Sequence, residues 1–289
     1  MNQRAEDAFR SDIVEVGRRM YARGYVASND GNISIRLEDD TILTTPKSVS
    51  KGFMTPDMMV VTDLNGKKLR GTRDASSELL MHLEVYKNRP DARAVVHAHP
   101  PTATGFAVAG IPLDRAVLAE VVTTLGSIPI AEYGTPSTPE LPEAVRKYIK
   151  AHDGLLLANH GALTVAGEVF AAYYKMETIE HFARISLVAR QLGREHLLSR
   201  GEVSRLQALR GNYGIQSPAP ICADGSMPPP SNEDPATCQI IQSPAPAAGG
   251  ARLIPTDPSD LDGEIRLSYR ELTALIEDAV KALLGGQHG

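Results

Sequence analysis

The sequence has few of the features that mark secreted or membrane-spanning proteins. Its 289 residues include no tryptophan and only two cysteines, Cys222 and Cys238, which both lie in a proline-rich stretch. A disulfide framework is therefore not expected, and a reducing cytoplasm fits the composition best. No apolar run approaches the roughly 18 residues that a membrane helix needs, and the charged N-terminal segment does not resemble a secretory signal. We therefore expect no membrane partner.

The charge of the chain is also unsuited to nucleic acid. It carries 30 basic and 35 acidic side chains, a net charge of -5, and no Lys/Arg-rich cluster stands out. A nucleic-acid partner is therefore not expected. Hydrophobic residues make up 42% and charged residues 22%, which is ordinary for a soluble globular protein. The length suffices for one large domain, with or without an appendage.

Composition divides the chain into three zones. Residues 1–215 alternate strand-like and helix-like patterns, residues 216–260 are rich in Pro, Ala, Gly and Ser, and residues 261–289 carry one further helical pattern. The middle zone predicts a flexible linker, because it cannot bury enough apolar surface to offset its ordering entropy. The hexapeptide IQSPAP occurs at 215–220 and again at 241–246, which we interpret as low-complexity drift.

The last zone predicts a short amphipathic helix. Ser268 and Glu271 have the spacing of a capping box, and Gly285 ends the pattern. Apolar residues recur at the i, i+3, i+4 spacing of one helix face, so this face must be buried against something. The apolar positions are Leu272, Leu275, Ile276, Ala279, Val280, Leu283 and Leu284.

Strand and helix patterns alternate through residues 1–215, and this order predicts an α/β domain built in layers. Asn65-Gly66 predicts a hairpin turn, and Ser76-Ser77-Glu78 has the composition of a helix start. The predicted strands cover 33–36, 41–45, 59–62, 94–99 and 155–160, and the predicted helices cover 5–23, 79–88 and 169–192.

A histidine pair at the end of an apolar strand is the most informative local feature. His97 and His99 are two residues apart, so in a strand both imidazoles point to the same side and can bind one metal ion. His160 lies where another apolar strand meets a glycine, which makes it the best candidate for a third ligand. Three protein ligands with one open position are typical of catalytic zinc, although this spacing also occurs in histidines that bind no metal.

A carboxylate and several polar residues complete the candidate site. Glu78 follows two serines at a helix start and is a candidate acid/base group, although a helix N-terminus also favours glutamate for its dipole alone. Hydroxyl and backbone N–H groups at such positions suit phosphate oxygens. Each phosphate candidate alone is better explained as a turn or cap, and together they hint at an anion site. These candidates are Asn32, Lys47, Ser48, Ser76 and Ser77.

Six stretches, in this order, resemble the class II aldolase/adducin family. They are GNISIR (31–36), LTTPKS (43–48), SSELLMH (76–82), RPDARAVVHAHP (89–100), SIPIAEYGTP (127–136) and LLLANHGAL (155–163). The resemblance spans residues 5 to about 215, and the combination is far more specific than the histidine pair alone. The family includes zinc-dependent L-fuculose-1-phosphate and L-rhamnulose-1-phosphate aldolases and L-ribulose-5-phosphate 4-epimerase.

The resemblance implies a three-layer α/β/α sandwich with a mainly antiparallel central sheet, assembled as a homotetramer with sites between subunits. It implies that His97, His99 and His160 bind Zn²⁺. Glu78 corresponds to the acid/base carboxylate, which can also contact the metal when no substrate is bound. The residues named above as phosphate candidates correspond to the phosphate pocket. Tyr213 matches a tyrosine near the C-terminus of the fuculose phosphate aldolase, where it is expected to be catalytic.

The sequence departs from the family pattern at two points. The aldolase has a second catalytic tyrosine in a stretch that corresponds roughly to residues 118–120, where this chain has none. Glu120 or a water molecule could replace it as the proton donor for the aldehyde oxygen. The aspartate that the epimerase carries in its His-Ala-Asp stretch is also unmatched, which weakens the epimerase interpretation.

Together these features predict retro-aldol cleavage of a deoxy-ketose 1-phosphate, either L-fuculose-1-phosphate or L-rhamnulose-1-phosphate, to dihydroxyacetone phosphate and lactaldehyde. 5-Deoxyribulose-1-phosphate and methylthioribulose-1-phosphate are alternative substrates. These sugars differ from the first two in chemical groups that no motif in the sequence can be assigned to bind. A zinc-dependent sugar-phosphate dehydratase and a non-catalytic scaffold like adducin are alternative functions. The retained histidines and Glu78 argue against the scaffold.

The C-terminal linker and helix resemble the encapsulation peptides that direct enzymes into bacterial microcompartments. Some of these compartments process L-fucose and L-rhamnose through aldolases of this type. We therefore expect that the helix binds shell proteins and that the enzyme lies in the compartment lumen. The alternative is a helix that packs on its own tetramer.

Overall fold

Eight strands form one sheet in the computed structural model, which describes residues 3–215 and Ile221. The predicted linker at 216–260, apart from Ile221, and the predicted helical tail at 261–289 lie outside the described residues. The strands are β1 (Asn32–Arg36), β2 (Ile42–Thr44), β3 (Val60–Thr62), β4 (Lys68–Arg70), β5 (Ala94–Ala98), β6 (Ile130–Ala131), β7 (Gly154–Leu157) and β8 (Gly161–Ala166).

The sheet is antiparallel except at one edge. Its strand order is β4-β3-β2-β1-β5-β8-β7-β6, and β6 pairs with β7 in parallel while the other named neighbours are antiparallel. β3 and β4 flank the predicted Asn65-Gly66 turn as an antiparallel hairpin. The mainly antiparallel sheet expected from the sequence is therefore confirmed.

Helices cover both faces of this sheet and give the three expected layers. They are α1 (Gln3–Ala22), α2 (Leu79–Asn88), α3 (Pro101–Val108), α4 (Ala119–Thr124), α5 (Glu140–Ile149), α6 (Val169–Gln191) and α7 (Arg200–Leu209). Successive strand residues point to opposite faces, so Val96 packs in a core with α1, α3, α4 and α6, while Val95 packs with α2 and α5. Among the described residues, no helix is long and apolar enough to cross a membrane.

Two element ends differ from the sequence prediction. A strand was expected over 155–160, but β7 ends at Leu157 and β8 begins at Gly161, so the three residues between them form a turn. Asn159 adopts a φ of 54° in this turn, a left-handed conformation that asparagine tolerates. Glu78, rather than a serine, is the N-cap residue of α2, and its backbone N–H donates to Ser76 Oγ at 3.3 Å.

Several polar segments meet at one end of the central strands. β5 ends there beside the start of β1, where Asn32 pairs with His97, and the β7–β8 turn lies next to it. Glycine permits the close approach of these segments. A Cβ on Gly161 would lie 2.5 Å from the carbonyl oxygen of Ala98, and a Cβ on Gly31 would lie 2.8 Å from that of His97. Larger residues would force these backbones apart.

Candidate active site

Three histidine side chains converge at this end of the sheet. His97 lies in β5, His99 follows that strand, and His160 closes the turn before β8. One ligand nitrogen from each imidazole lies within 4.8 Å of the others, and the Nε2 atoms of His97 and His99 are 3.2 Å apart. The structure therefore brings together the three residues that the sequence predicts as metal ligands.

The Nδ1 atoms of the three imidazoles have different partners. His97 Nδ1 lies 2.8 Å from the carbonyl oxygen of Ala162. Since a carbonyl oxygen only accepts, this Nδ1 carries the proton and Nε2 presents its lone pair to the cluster. His99 Nδ1 faces Asp30 Oδ2 at 3.4 Å. Nδ1 of His160 is buried and has no hydrogen-bond partner among the described residues.

Glu78 places its carboxylate against the same cluster. Its Oε1 lies 3.0 Å from His160 Nε2, and its Oε2 lies 3.5 Å from His97 Nε2. Asn32 Nδ2 donates a hydrogen bond of 3.0 Å to Oε2. Burial raises the pKa of Glu78, whereas the hydrogen bond with His160 lowers it, and the net result is a pKa lowered to about 2. Glu78 is therefore ionised at neutral pH.

The charge state of the histidines suits a metal ligand. Burial lowers the pKa of His97 well below its usual value, because a charged imidazole loses hydration there. Burial and the neighbouring His160 also lower the pKa of His99, and Asp30 acts against that shift. Histidine binds metals as the neutral imidazole. Three imidazoles and one carboxylate form a donor set that fits a divalent metal ion such as zinc.

The predicted phosphate-binding residues lie on three segments near Glu78: the start of β1, the loop after β2 and the start of α2. Backbone hydrogen bonds join residues 45–47 to residues 74–76, so the loop after β2 lies directly beside the start of α2. Asn32 has a buried Oδ1 without a hydrogen-bond partner among the described residues. Lys47, Ser48 and Ser77 are exposed, and Ser76 is half-buried. These residues therefore form one polar neighbourhood that begins at the histidine cluster.

Glu120 and Tyr213 are placed differently. Among the described residues, no hydrogen bond, ion pair or ring contact joins either side chain to the histidines. Glu120 is exposed on α4 and lines an open pocket with Tyr25, Leu118 and Glu180. The side chain of Tyr213 is also largely exposed. Their catalytic roles therefore stay predictions.

Two residues beside the site were not singled out from the sequence. Asp30 faces His99, and Lys51 is buried with its Nζ bonded to the loop that carries Asp30. Asp30 directly precedes the GNISIR stretch, and this position was the sequence feature that could have indicated its place beside the histidines. No pattern marks Lys51, because a lysine is expected at the surface.

Comparison with known proteins agrees with this architecture. Residues 11–187 match the family model described as the Class II Aldolase and Adducin N-terminal domain. An L-fuculose phosphate aldolase of Methanococcus maripaludis is 33% identical over 182 residues, which cover 63% of this chain and 98% of that protein. A 5-deoxy-D-ribulose 1-phosphate aldolase of Bacillus thuringiensis is 32% identical over 208 residues, which cover 72% and 97%. A 3-oxo-tetronate 4-phosphate decarboxylase of Pectobacterium atrosepticum is 29% identical over 188 residues, which cover 64% and 86%.

A solved structure shares the fold. It is an L-fuculose 1-phosphate aldolase with a TM-score of 0.66 and 28% identity, and the match covers 70% of this chain and 95% of that one. The match to the family model covers more than half of the chain, and two of the relatives are named aldolases. The predictions of the family and of an aldolase-type enzyme are thereby confirmed. The chain belongs to the class II aldolase and adducin family.

Proposed function

We propose that this protein is a zinc-dependent aldolase that cleaves L-fuculose-1-phosphate or L-rhamnulose-1-phosphate to dihydroxyacetone phosphate and lactaldehyde. The observation that carries the proposal is the convergence of three imidazoles and Glu78 beside two polar loops. The Methanococcus relative, which is named for L-fuculose phosphate, supports the choice of substrate. The Bacillus relative makes 5-deoxyribulose 1-phosphate the next sugar to test.

The chemistry divides among the residues of the site. His97, His99, His160 and Glu78 would hold the zinc ion, which when bound supplies a Lewis acid for negative charge on oxygen. A base removes the proton of the C4 hydroxyl, the C3–C4 bond breaks, lactaldehyde leaves, and the enediolate of dihydroxyacetone phosphate remains. Glu78, which is ionised in the free site, is the group proposed to take up a proton from solvent once the substrate is bound and to deliver it to C3 of this enediolate, while the base returns the hydroxyl proton to solvent.

The base and the phosphate pocket complete the proposal. Tyr213 or Glu120 would take the hydroxyl proton. Both side chains are exposed in a single chain, and the proposed homotetramer, with sites between subunits, would bring one of them against the histidines of a neighbouring copy. The polar loops would orient the phosphate and so hold the reacting bond in place. The residues proposed for the phosphate are Asn32, Lys47, Ser48, Ser76 and Ser77.

Metal content and product analysis on the purified full chain test this function. We expect bound zinc, and dihydroxyacetone phosphate with lactaldehyde from at least one of the two sugars. His99→Ala should lose both metal and cleavage, whereas His196→Ala, which changes an exposed histidine outside the cluster, should keep both. Bound zinc without cleavage would retain the metal site and reject the substrates. A chain that binds no metal would favour the scaffold function.

Decarboxylation is a second candidate, and the Pectobacterium relative favours it. Loss of CO₂ from a 3-oxo acid leaves an enolate, which resembles the anion left by aldol cleavage, so the same metal and acid groups would serve. The absence of tyrosine at 118–120 also separates this chain from the aldolase pattern. Release of CO₂ from 3-oxo-tetronate 4-phosphate, measured beside aldehyde formation, decides between the two reactions. A dehydratase would give neither CO₂ nor an aldehyde fragment.

We also propose that residues 261–289 direct the enzyme into a bacterial microcompartment by binding shell proteins. The support is the amphipathic pattern that follows a proline-rich linker. Fused to a fluorescent protein, these residues should give a punctate signal in cells that make shells. A diffuse signal would favour the alternative, a helix that packs on its own tetramer.

A further inference from the structure

Lys51 is a buried lysine with no carboxylate among its hydrogen-bond partners. It begins the 3-10 helix Lys51–Phe53 and is 1% exposed. Its Nζ donates hydrogen bonds to the carbonyl oxygens of Asn29 at 2.9 Å and Val49 at 2.8 Å. Both acceptors are backbone atoms of loops that border the candidate site.

These two loops carry different parts of that site. The metal-side loop, residues 28–32, contacts the cluster through Asp30 and Asn32. The phosphate loop, residues 46–50, contains Lys47 and continues directly into the helix of Lys51. The ammonium group therefore bridges the loop beside the histidines and the loop proposed to bind phosphate.

Burial of this ammonium group is unfavourable by itself. It lowers the pKa of Lys51 to about 8, and the nearby carboxylates of Asp30 and Glu78 act against this shift. Tight packing fixes the backbone from which the side chain extends, because a Cβ on Gly17 of α1 would lie 2.8 Å from the Lys51 carbonyl oxygen. A methionine would fill the same space without a desolvation penalty. The position thus holds a charged donor where an apolar residue would fit.

We propose that Lys51 is a positioning residue that joins the metal-side loop to the phosphate loop and sets the spacing between the metal and phosphate sites. This inference rests on the proposed function, since it assumes that phosphate binds at the loop of Lys47. A substrate that contacts the metal and carries a phosphate must span both sites. If the spacing is already fixed, the two loops lose less conformational entropy when such a substrate binds.

The test compares Lys51→Met and Lys51→Gln with Lys175→Met in the zinc-loaded full chain. Lys175 is the control, because its Nζ also donates to a backbone carbonyl, that of Val165 at 3.0 Å, and pairs with Asp153 at 2.6 Å near the other end of β8, away from the phosphate loop. Calorimetric titration with inorganic phosphate should give a Kd about tenfold weaker for Lys51→Met, since hydrogen bonds from a charged donor are lost. KM for the sugar phosphate should rise in parallel, while kcat and zinc content stay close to wild type.

The two substitutions separate the hydrogen bonds from the charge. Lys51→Gln keeps an amide donor, so it should recover part of the phosphate affinity that Lys51→Met loses. If Lys51→Met does not fold, Lys51→Gln must still show a Kd for phosphate and a KM above the wild-type values, by less than the tenfold expected of Lys51→Met. Lys175→Met should bind phosphate like wild type.

Three outcomes would overturn the inference in distinguishable ways. Unchanged Kd and KM in the Lys51 variants would reject the role of Lys51 and leave the proposed function intact. Failure of the wild-type protein to bind phosphate would reject the proposed phosphate pocket itself, and the role of Lys51 with it. A loss of zinc and kcat at unchanged phosphate affinity would assign Lys51 to the general stability of the fold.

Discussion

Two clusters of ionisable side chains lie at opposite ends of the central strands, and they are built in different ways. At the site end, the Nε2 atoms of His97 and His99 approach to 3.2 Å, with Glu78 beside them. At the other end, Arg89 pairs with Asp91 at 2.7 Å and with Asp153 at 2.8 Å. One cluster gathers groups of the same kind, and the other alternates positive and negative groups.

This difference distinguishes a cluster that maintains the fold from one that can bind a ligand. Lys175 pairs with Asp153 at 2.6 Å, and Arg89 also donates to the carbonyl oxygen of Ile149. The charges of the Arg89 cluster are therefore compensated within the chain. The imidazoles of the other cluster direct basic nitrogens toward one another, an arrangement that a bound cation stabilises.

Removing the acid/base group should give the largest effect. Glu78→Gln leaves an amide of similar size beside His160 but cannot transfer a proton, so kcat should fall roughly 10³-fold. Steady-state kinetics on the zinc-loaded protein measure this change. The control is Glu84→Gln on the same helix, because Glu84 bonds to Asn88 and Arg146 outside the site. Similar kcat values for both variants would remove Glu78 from the mechanism.

Breaking the Arg89 cluster should instead lower stability. Asp153→Asn leaves Arg89 and Lys175 without their shared buried carboxylate, so the free energy of unfolding should fall by about 3 kcal/mol. Urea denaturation of the metal-free protein gives this value. Zinc affinity and kcat of the folded variant should be unchanged.

The matched control for that variant is Asp91→Asn. The Asp91 side chain is 61% exposed, so its ion pair is screened and its loss should lower the free energy of unfolding by less than about 1 kcal/mol. If Asp153→Asn impaired zinc binding as well, the two ends of the sheet would not be independent.

The histidine pair could be predicted because a strand places residues two apart on the same side. The bounds of α2 and α6 agree with the predicted helices 79–88 and 169–192, and the Ser76-Ser77-Glu78 helix start marked the first of them. His160 is different, because its approach to the pair depends on a turn between two strands. The family motifs, rather than spacing, made it a specific prediction.

β8 and the burial of Lys51 could not be predicted from local pattern. Residues 155–158 are all apolar, and the break after them depends on the positive φ of Asn159 and on the close passage of Gly161 over Ala98. The burial of Lys51 depends on packing against α1, which is distant in sequence. The proposed contributions of Glu120 and Tyr213 depend on assembly of several chains, which no local pattern determines.

Loss of the carboxylate beside His99 should have a smaller effect than loss of Glu78. A carboxylate that accepts from the outer nitrogen of a ligand histidine orients the ring and raises its basicity, so Asp30→Ala should weaken zinc binding about tenfold. Competition with a chelator measures the affinity without reference to activity. Asn29→Ala changes the neighbouring side chain of the same loop and should bind zinc like wild type. Equal affinities for both variants would show that Asp30 does not support the metal site.

The smallest expected effect concerns two buried histidines: His82, which contacts Ser34 in the middle of β1, and His152, which precedes β7 at the Arg89 end of the sheet. Burial lowers the pKa of His82 to about 3 and that of His152 to about 4, from an ordinary value of 6.5. As the pH falls below 6.5, the unfolded chain takes up these protons before the folded chain does, so stability decreases from there down to about pH 4 for His152 and about pH 3 for His82.

Each of these histidines should remove about 1 kcal/mol of unfolding free energy between pH 6.5 and 5.5. Urea denaturation of the metal-free protein at both pH values measures the loss, and His82→Asn and His152→Asn should each reduce it by a similar amount. His82 lies on the helix of Glu78, whereas His152 lies beside Asp153. Equal effects would therefore show that burial, which both histidines share, sets the response to acid. An effect confined to one variant would show that the local charges, which differ between the two positions, set it instead.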